Sequence, residues 1–318
     1  GILLDNATIQ AMMDRRRPGS SKASTTRKEP DQAIIMSGVF EGQTTGTPVC
    51  IMIHNKDADS SAYKPYKDLY RPGHGDITYQ AKYGIRDWRG GGRASARETA
   101  ARVAAGAVAG AFLSQNNIRV TAFTIQLGHI KAETIDLDSR ENNAYLCPDR
   151  EASLEMDRLV RDTRKKGDSL GGVVEIRATG VPPGLGDPVF DKLDADLAKA
   201  LMSIGAVKGI EIGAGFSASG FLGTENNDPI LPDGFETNNS GGILAGISNG
   251  DELVMRVAVK PIPSITIMQK TIDTSNRPAT ISTKGRHDIS AIPRINVVCE
   301  AMVNIVLSDH MLRQRAIS

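Results

Sequence analysis

Aromatic residues and cysteines are scarce in this chain, and both shortages exclude classes of protein. Phenylalanine, tyrosine and tryptophan together make up 4% of the 318 residues. The three cysteines, Cys50, Cys147 and Cys299, are odd in number and far apart, which argues against a disulfide framework and against a zinc site. We therefore expect a cytoplasmic protein whose cysteines serve as small apolar residues.

Net charge and long apolar runs are also lacking. The formal net charge is +1, so nothing in the overall charge favours nucleic acid or an acidic membrane as a partner. The most hydrophobic stretch, residues 100–113, is interrupted by Arg102 and is shorter than the roughly 18 residues of a membrane span. We expect no nucleic-acid partner and no membrane partner.

Hydrophobic patterns predict a mixed α+β fold. Alternating or continuous apolar runs predict strands at 34–40, 48–54, 118–127, 172–179 and 253–260, and helical periodicity predicts helices at 95–114, 151–166, 191–206 and 297–313. The first helix is lined with alanine and glycine, which let helices pack closely, so it belongs in the middle of a helical layer. Strands and helices do not alternate as a doubly wound parallel sheet requires. The prediction is a single domain, 1–318, with sheets flanking central helices.

Common nucleotide and metal motifs are not found in the sequence. No Gly-Lys-Ser/Thr ends a phosphate loop, and the glycine-rich run at 213–220 is followed by turn-forming residues instead of a helix. No His-Glu-x-x-His or paired-cysteine spacing is present. A mechanism without a metal is the expectation.

A dense group of charged residues and glycines lies between Arg71 and Arg102. Three consecutive glycines, 90–92, precede Ser95, and Ser95 and Glu98 have the spacing of a capping box that opens the alanine-rich helix. Exposed backbone amides at a helix start bind anions, and Arg93 and Arg97 add donors. The alternative is a capped helix after a flexible loop. We favour a site for an anion or a cofactor phosphate.

His74 lies in this region between two glycines, which offer it no packing surface. Imidazole can donate and accept protons near neutral pH, with an unperturbed pKa of about 6.5. His74 is therefore a candidate catalytic residue, with a structural histidine as the alternative.

Two further charged segments complete the candidate site. Residues 14–22 place three arginines before Pro18 and Gly19, which suggests a rigid loop aiming guanidinium groups at carboxylate or phosphate. Residues 284–288 carry four ionisable groups just before the last helix, and the prolines at 261 and 263 stiffen a turn. Many positive donors facing few acids predict a polyanionic small-molecule substrate and an anionic cofactor. The alternative is a non-catalytic anion- or RNA-binding protein built around 15–22.

The motifs, in this order, resemble those of the chorismate synthase family over nearly the whole chain. They are Asp-Arg-Arg-Arg-Pro-Gly at 14–19, Arg-Pro-Gly-His-x-Asp-x-Thr-Tyr at 71–79, Gly-Gly-Arg-x-Ser-Ala-Arg-Glu-Thr at 91–99 and Lys-Gly-Arg-His-Asp at 284–288. The resemblance implies a lyase of the shikimate pathway of aromatic amino acid biosynthesis. It would eliminate phosphate and a ring proton, in trans geometry, from 5-enolpyruvylshikimate 3-phosphate, with reduced FMN as cofactor. The implied fold is a β-α-β sandwich, assembled as a homotetramer.

The resemblance also implies roles for individual residues. His74 matches a histidine that protonates the reduced flavin, Asp288 an aspartate that helps the flavin take the ring proton, and Ser95 a serine of the proton relay. Positions matching FMN contacts are Arg93, Ala94, Ser95, Gly205, Ala206, Ala245, Lys260, Pro261, Ile262, Pro263, Ser264 and Arg286. Arg16 and Lys22 match positions attributed to a nicotinamide cofactor. The expected substrate contacts are Arg16, Arg17, Arg97 and Arg286.

Some features depart from the family pattern. The family opens with a segment containing Gly-x-Ser-His-Gly, which this sequence does not contain, and because the chain opens on Gly1 we expect the natural start to lie upstream. Lys22 stands where arginine is more usual, Asn239 where histidine is common and Ile289 where proline is frequent. NADPH is a candidate reductant, and the lack of extra insertions favours an external reductase. A flavin- or anion-binding relative without catalysis is the alternative function.

Overall fold

The computed structural model describes residues 1–17, 23, 29–57, 61–283, 285 and 287–317, and these contain the following elements. The helices are α1 (Asn6–Arg16), α2 (Asp76–Tyr83), α3 (Thr99–Ser114), α4 (Arg150–Lys166), α5 (Leu193–Met202), α6 (Gly223–Asn226) and α7 (Ile292–Ile317). The strands are β1 (Ala33–Ser37), β2 (Val39–Phe40), β3 (Gln43–Thr44), β4 (Cys50–Ile53), β5 (Arg119–Leu127), β6 (Ile130–Lys131), β7 (Gly172–Thr179), β8 (Val207–Ile212), β9 (Ile230–Leu231), β10 (Gly234–Phe235), β11 (Ile243–Leu244), β12 (Ile247–Ser248), β13 (Leu253–Val259), β14 (Gln269–Ile272) and β15 (Pro278–Ile281).

The main sheet has five antiparallel strands in the order β6-β5-β7-β13-β8. Along β13 the residues alternate, with Leu253, Met255 and Val257 fully buried and Arg256 on the other face. Period-two burial of this kind presents one apolar face of the sheet to the core. Helix α7 covers strands β5 and β7 on that face.

Helices α3 and α7 pack closely against each other through small residues. A Cβ atom added at Gly106 of α3 would lie 2.3 Å from Cβ of Ala301 in α7, closer than any real contact. Helix α1 packs on both α3 and α7. The prediction that the alanine-rich helix lies within a helical layer is therefore confirmed.

A smaller antiparallel pair, β1 with β4, contacts α1 and α3. Helices with antiparallel sheets confirm the α+β class, but within the described residues the second sheet has two strands against five in the main sheet. The full sandwich therefore stays a prediction, as does the single domain.

Most predicted elements are present, with shifted ends. The five predicted strands and four predicted helices all have counterparts, and the last helix begins five residues earlier than predicted, at Ile292. Helix α1 was missed: residues 14–17, predicted as a loop, form its last turn and C-cap. Its start is fixed by Asp5, whose carboxylate accepts from the backbone N–H of Thr8 at 2.7 Å.

Helix α7 is long and apolar enough in composition to cross a membrane. Of its most apolar window, 61% is buried inside the protein, against α3, α5 and the main sheet. Burial by protein on this scale is typical of a core helix, and we describe α7 as one.

Candidate active site

A cavity of about 160 Å³ lies where four loops meet the end of α1. It is lined by Arg16, Glu29, Tyr63, Arg71, His74, Gly90, Ser95, Ala96, Arg97, Ile262, Ser264, His287, Asp288 and Arg294. These residues come from both ends of the chain, so the tertiary fold assembles the cavity. The three predicted catalytic residues, His74, Ser95 and Asp288, all line it.

Asp76, the first residue of α2, holds Arg71 and His74 in place. Arg71 donates to this carboxylate from Nε to Oδ2 at 2.9 Å and from Nη2 to Oδ1 at 2.8 Å, and the Arg71 backbone N–H donates to Oδ2 at 3.0 Å. Nδ1 of His74 lies 3.3 Å from Oδ1. Burial raises the pKa of Asp76, but the hydrogen bonds from Arg71 and His74 outweigh it and hold that pKa well below its usual range. Asp76 is therefore a permanent anion at neutral pH.

The position of Asp76 fixes which nitrogen of His74 can serve a ligand. Nδ1 of His74 lies 3.3 Å from Oδ1 of Asp76, an acceptor, and 3.2 Å from Nη2 of Arg71, a donor, so Nδ1 is engaged on the protein side and Nε2 is left to exchange a proton with a ligand. Gly91 makes room for the ring: its φ is +94°, and a Cβ there would lie 3.0 Å from Cε1 of His74. One of the three glycines is thus required by close approach to the imidazole.

Ser95 opens a 3-10 turn, Ala96–Glu98, and α3 begins only at Thr99. The predicted capping box is wrong in its second half, because Glu98 accepts from Nε of Arg102 at 3.0 and 3.1 Å. Arg102 is four residues on, where a helical ion pair forms readily. The Ser95 hydroxyl, which accepts from the Arg97 backbone N–H at 3.3 Å, remains on the cavity wall.

Arg16 is buried and fully engaged by its neighbours. Its Nη1 donates to Oδ2 of Asp31 at 2.9 Å, while Nε and Nη2 donate to the Thr99 hydroxyl at 3.0 and 2.8 Å. Nη2 also donates to the Ala96 carbonyl at 3.0 Å. Burial, with the charge of Arg294, lowers the pKa of Arg16 to about 10, so it stays a cation at neutral pH.

Arg97 shares Asp31 with Arg16. It donates from Nη1 to the other carboxylate oxygen, Oδ1, and from Nη2 to the His54 carbonyl at 3.1 Å. Its side chain is 20% exposed, against 1% for Arg16. Of the two, Arg97 is the guanidinium that a ligand can reach.

Asp288 and His287 precede α7 and face the same cavity. Asp288 accepts from Nη1 of Arg294, one turn into the helix, at 2.7 Å. Burial lowers the pKa of His287, and the charge of Arg71 lowers it further, against the opposing effect of Asp288. His287 is therefore neutral at neutral pH.

The arginines that line the cavity are paired with carboxylates. Arg71 pairs with Asp76, Arg294 with Asp288, and Arg16 and Arg97 with Asp31. Positive donors do outnumber acids in the described cavity wall, with four arginines against Glu29 and Asp288, but the buried Asp31 and Asp76 already neutralise much of that charge. Sequence analysis did not predict these pairs, because Asp31 lies in no motif and Asp76, although it lies in the 71–79 motif, was given no role.

The turn at 260–264 carries several predicted cofactor positions to the cavity. Ile262 and Ser264 line it, and Pro263 packs against Gly73. Nζ of Lys260 donates to the Gly73 carbonyl at 2.6 Å, and burial, with the charge of Lys208, lowers the Lys260 pKa. The Lys260 backbone N–H donates to the carbonyl of Ala206, another predicted position, at 2.9 Å.

Other predicted positions lie away from the cavity lining. Arg93 borders a neighbouring groove of about 610 Å³ between β4 and α3, which Arg97 also lines. Arg17 is on the surface, 3.3 Å from Asp14, and Gly205 and Ala245 are exposed in turns. Ala94, which ends the turn before Ser95, and Pro261 are not part of the cavity wall. Lys22 and Arg286 lie outside the described residues.

Sequence reasoning gave no role to several residues that the cavity contains. Arg71 and His287 are in recognised motifs, but neither received a function, while Tyr63 and Arg294 have no signal in sequence. Arg71 lies over the Tyr63 ring, with its guanidinium carbon 5.7 Å from the ring centroid. The pairing of Arg294 with Asp288 could have been suspected from their spacing across the start of α7.

Comparison with known proteins gives one consistent result. The sequence model of the family described as chorismate synthase matches residues 1–312. Curated relatives named chorismate synthase include one from Desulfosudis oleivorans, 66% identical over all of this chain and 90% of the relative, and one from Desulfatibacillum aliphaticivorans, 63% identical over 99% of this chain and 88% of the relative. A solved structure titled "Crystal Structure of Chorismate Synthase" superposes with a TM-score of 0.77 at 32% identity, covering 98% of this chain and 85% of the other.

Proposed function

The chain belongs to the chorismate synthase family of lyases, and we propose that the site of which this cavity forms a part binds 5-enolpyruvylshikimate 3-phosphate together with reduced FMN. The reaction is a trans elimination: the carbon–oxygen bond to phosphate breaks, phosphate leaves with the bonding electrons, and a ring proton is removed to give chorismate. The observation that carries this proposal is that Asp288, near the C-terminal end of the chain, meets His74 and Ser95 at one cavity.

The donors around the cavity fit an anionic flavin cofactor. Lys260 brings a cation to the turn at 260–264, Ser95 and Ser264 present hydroxyls, and Ile262 gives an apolar surface. A ring of donors with an apolar wall is typical of cofactor sites. These residues, with Ala206 and Arg93 nearby, would hold FMN, and Arg286 is proposed with them by resemblance. Reduced FMN, when bound, supplies an electron-rich ring beside the breaking bond.

The protein's own residues handle protons and charge. His74 exchanges a proton at Nε2 while Asp76 holds Nδ1, which keeps the ring in one orientation. Asp288, held in place by Arg294, lines the same cavity and can accept or donate a second proton. The Ser95 hydroxyl can relay a proton. Arg97, the most exposed of the cavity arginines bound to Asp31, can turn toward the leaving phosphate and offset its charge.

An alternative function is favoured by one observation. Because the four arginines lining the cavity are already paired, the described residues offer little uncompensated positive charge for phosphate. A relative that binds flavin or an anion without catalysis would fit this balance. It would bind FMN and release no phosphate.

The proposal also covers the oligomeric state of the protein and the source of the electrons that reduce FMN. A cytoplasmic homotetramer with the sandwich fold agrees with the family and with the many exposed apolar side chains of the single chain. NADPH is the proposed source of electrons through an external reductase, and no nucleic-acid or membrane partner is proposed.

An anaerobic assay tests the main proposal. The protein is mixed with reduced FMN and 5-enolpyruvylshikimate 3-phosphate, and phosphate and chorismate are followed. We expect equal amounts of both products, and none with oxidised FMN. Binding of both ligands without product would favour the non-catalytic alternative.

A further inference from the structure

His287 has a buried ring nitrogen whose partner is not provided by the described part of the chain. Its Nε2 is shielded from solvent and makes no hydrogen bond with any described residue. The side chain lines the same cavity as His74 and Asp288. Neither the sequence motifs nor the proposed proton transfers give His287 a role.

A buried polar atom without a hydrogen bond is costly. Leaving such a group unsatisfied destabilises a protein, and native proteins contain few of them. The backbone of Gly285 lies against Nε2 on one side, since a Cβ added at Gly285 would be 2.8 Å away. Because the His287 side chain lines the cavity, a ligand bound there can supply the partner of Nε2.

The charges around His287 indicate which kind of ligand group can bind its Nε2. Burial and the charge of Arg71 lower the pKa of His287, and the Asp288 carboxylate raises it. Arg71 and Arg294 have their donors directed at Asp76 and Asp288, so the wall near His287 is rich in cations that are already engaged. An anionic oxygen that enters this space is stabilised by the nearby positive charges. It also needs a hydrogen-bond donor that is not already bound to another group.

We propose that His287 binds the substrate, its Nε2–H donating a hydrogen bond to an anionic oxygen, carboxylate or phosphate, of the phosphorylated ring acid. The proposal rests on the proposed function for the identity of that acid. A neutral imidazole adds a directed donor without adding a full charge, whereas Arg71 and Arg294 contribute charge and stay with their carboxylates. His287 is then a binding residue, separate from His74, which exchanges a proton.

Two amide substitutions test the reach of the donor. In His287→Gln the side-chain amide N–H lies near the position of Nε2. In His287→Asn the side chain is still polar, but it is shorter and its amide N–H lies near the position of Nδ1. His310→Gln is the matched control, because His310 is also buried and pairs with Asp196 at 3.0 Å, outside the cavity. Thermal unfolding of each variant shows that it is folded.

Binding is measured by calorimetry with 5-enolpyruvylshikimate 3-phosphate, and separately with inorganic phosphate. We expect His287→Asn to weaken substrate binding by about 10- to 100-fold, as for a lost hydrogen bond to a charged group. His287→Gln should recover most of this, and His310→Gln should bind like the unaltered protein. Parallel loss with inorganic phosphate assigns the bond to the phosphate, and loss with the full substrate alone assigns it to the carboxylate.

Nitrogen NMR gives a readout independent of turnover. The chain has five histidines, so ¹⁵N-histidine labelling gives few signals, and His287→Gln identifies those of His287. Adding substrate should shift the Nε2 signal and raise the His287 pKa, because a nearby anion favours the protonated ring.

Wild-type affinity in His287→Asn, or an Nε2 signal unchanged by substrate, would overturn the proposal and would mean that water satisfies this nitrogen. If the unaltered protein binds substrate normally but releases no phosphate, the proposed function fails while the role of His287 in binding can still be judged.

Discussion

Asp76 is the residue on which the orientation of Arg71 and His74 depends. Its carboxylate accepts three hydrogen bonds from Arg71 alone and is 3% exposed. Removing that charge leaves a buried guanidinium without its partner. Breaking a buried pair in this way costs about 3–5 kcal/mol.

We therefore predict that Asp76→Asn lowers the free energy of unfolding by several kcal/mol at pH 7. Because the folded-state pKa of Asp76 is depressed, the stability from its charge is fully present above its unfolded pKa of about 3.9 and is lost as pH falls through the folded value. Urea unfolding from pH 7 to pH 2 should show the difference between the two proteins narrowing only in acid. Asp162→Asn, at a 63% exposed carboxylate, should change little, and an equally small change in Asp76→Asn would contradict the prediction.

His74 and Asp288 belong to the proton transfers, so their removal should reduce turnover and leave folding intact. We predict that His74→Ala and Asp288→Asn each lower phosphate release by about 100- to 10,000-fold, the range for general acid–base groups. His129→Ala, at an exposed histidine, is the control. Full activity of either variant, measured in the anaerobic assay, would remove that residue from the mechanism.

At the scale of elements, the contact between α3 and α7 sets the geometry of the helical layer. Alanine normally stabilises a helix by about 1 kcal/mol relative to glycine. At Gly106 the new methyl group would overlap Ala301, and overpacking costs about 1–3 kcal/mol. The steric effect should exceed the gain in helix propensity.

Gly106→Ala is thus predicted to lower the melting temperature. Adding Ala301→Gly should restore part of the loss, because it removes the methyl group on the opposite helix. Gly223→Ala, in α6 with open space around its Cβ position, is the control. A Gly106→Ala protein more stable than the parent would show that α3 and α7 are less tightly packed than described.

Several elements could be predicted from sequence because their signals are local. Strand β7 has the predicted bounds, and α4 ends at Gly167, whose φ of +73° suits a C-cap glycine. Strand β8 was missed because Lys208, Gly209 and Glu211 break its apolar pattern, and it is stabilised by pairing with β13. Helix α1 is mostly polar and shows its apolar side only through Ile9 and Met13.

The candidate site was predictable only in part, because only some of its residues lie in local sequence motifs. His74, Ser95 and Asp288 are in recognisable loops, and all three reach the cavity. The ion pairs of Asp31 could not be read from the sequence, since Asp31 meets Arg97 across 66 residues of chain. Charge counted along the sequence therefore overstated the free positive charge of the site.

At the scale of the whole molecule, large apolar side chains remain exposed in the single chain. Among them are Phe216 at 80%, Leu222 at 68% and Ile230 at 77%, all in one segment between β8 and β10. Exposed apolar side chains grouped in this way are typical of contact surfaces. Contact between copies of the chain would bury them.

We predict that light scattering gives a mass near four times the 34.0 kDa of one chain. The double substitution Phe216→Glu with Ile230→Glu should lower that mass, because charges would be buried between copies. Ile317→Glu, at an 82% exposed position near the end of α7, should leave it unchanged. A single-chain mass for the unaltered protein would contradict the homotetramer.

Asp31 binds Arg16 with one oxygen and Arg97 with the other. If Arg97 turns toward an incoming anion, as proposed above, Asp31 keeps Arg16 as its partner and does not become an isolated buried charge. Arg97 could then bind the anion and return to Asp31 when the anion leaves, while Arg16 keeps α1 in contact with the start of α3.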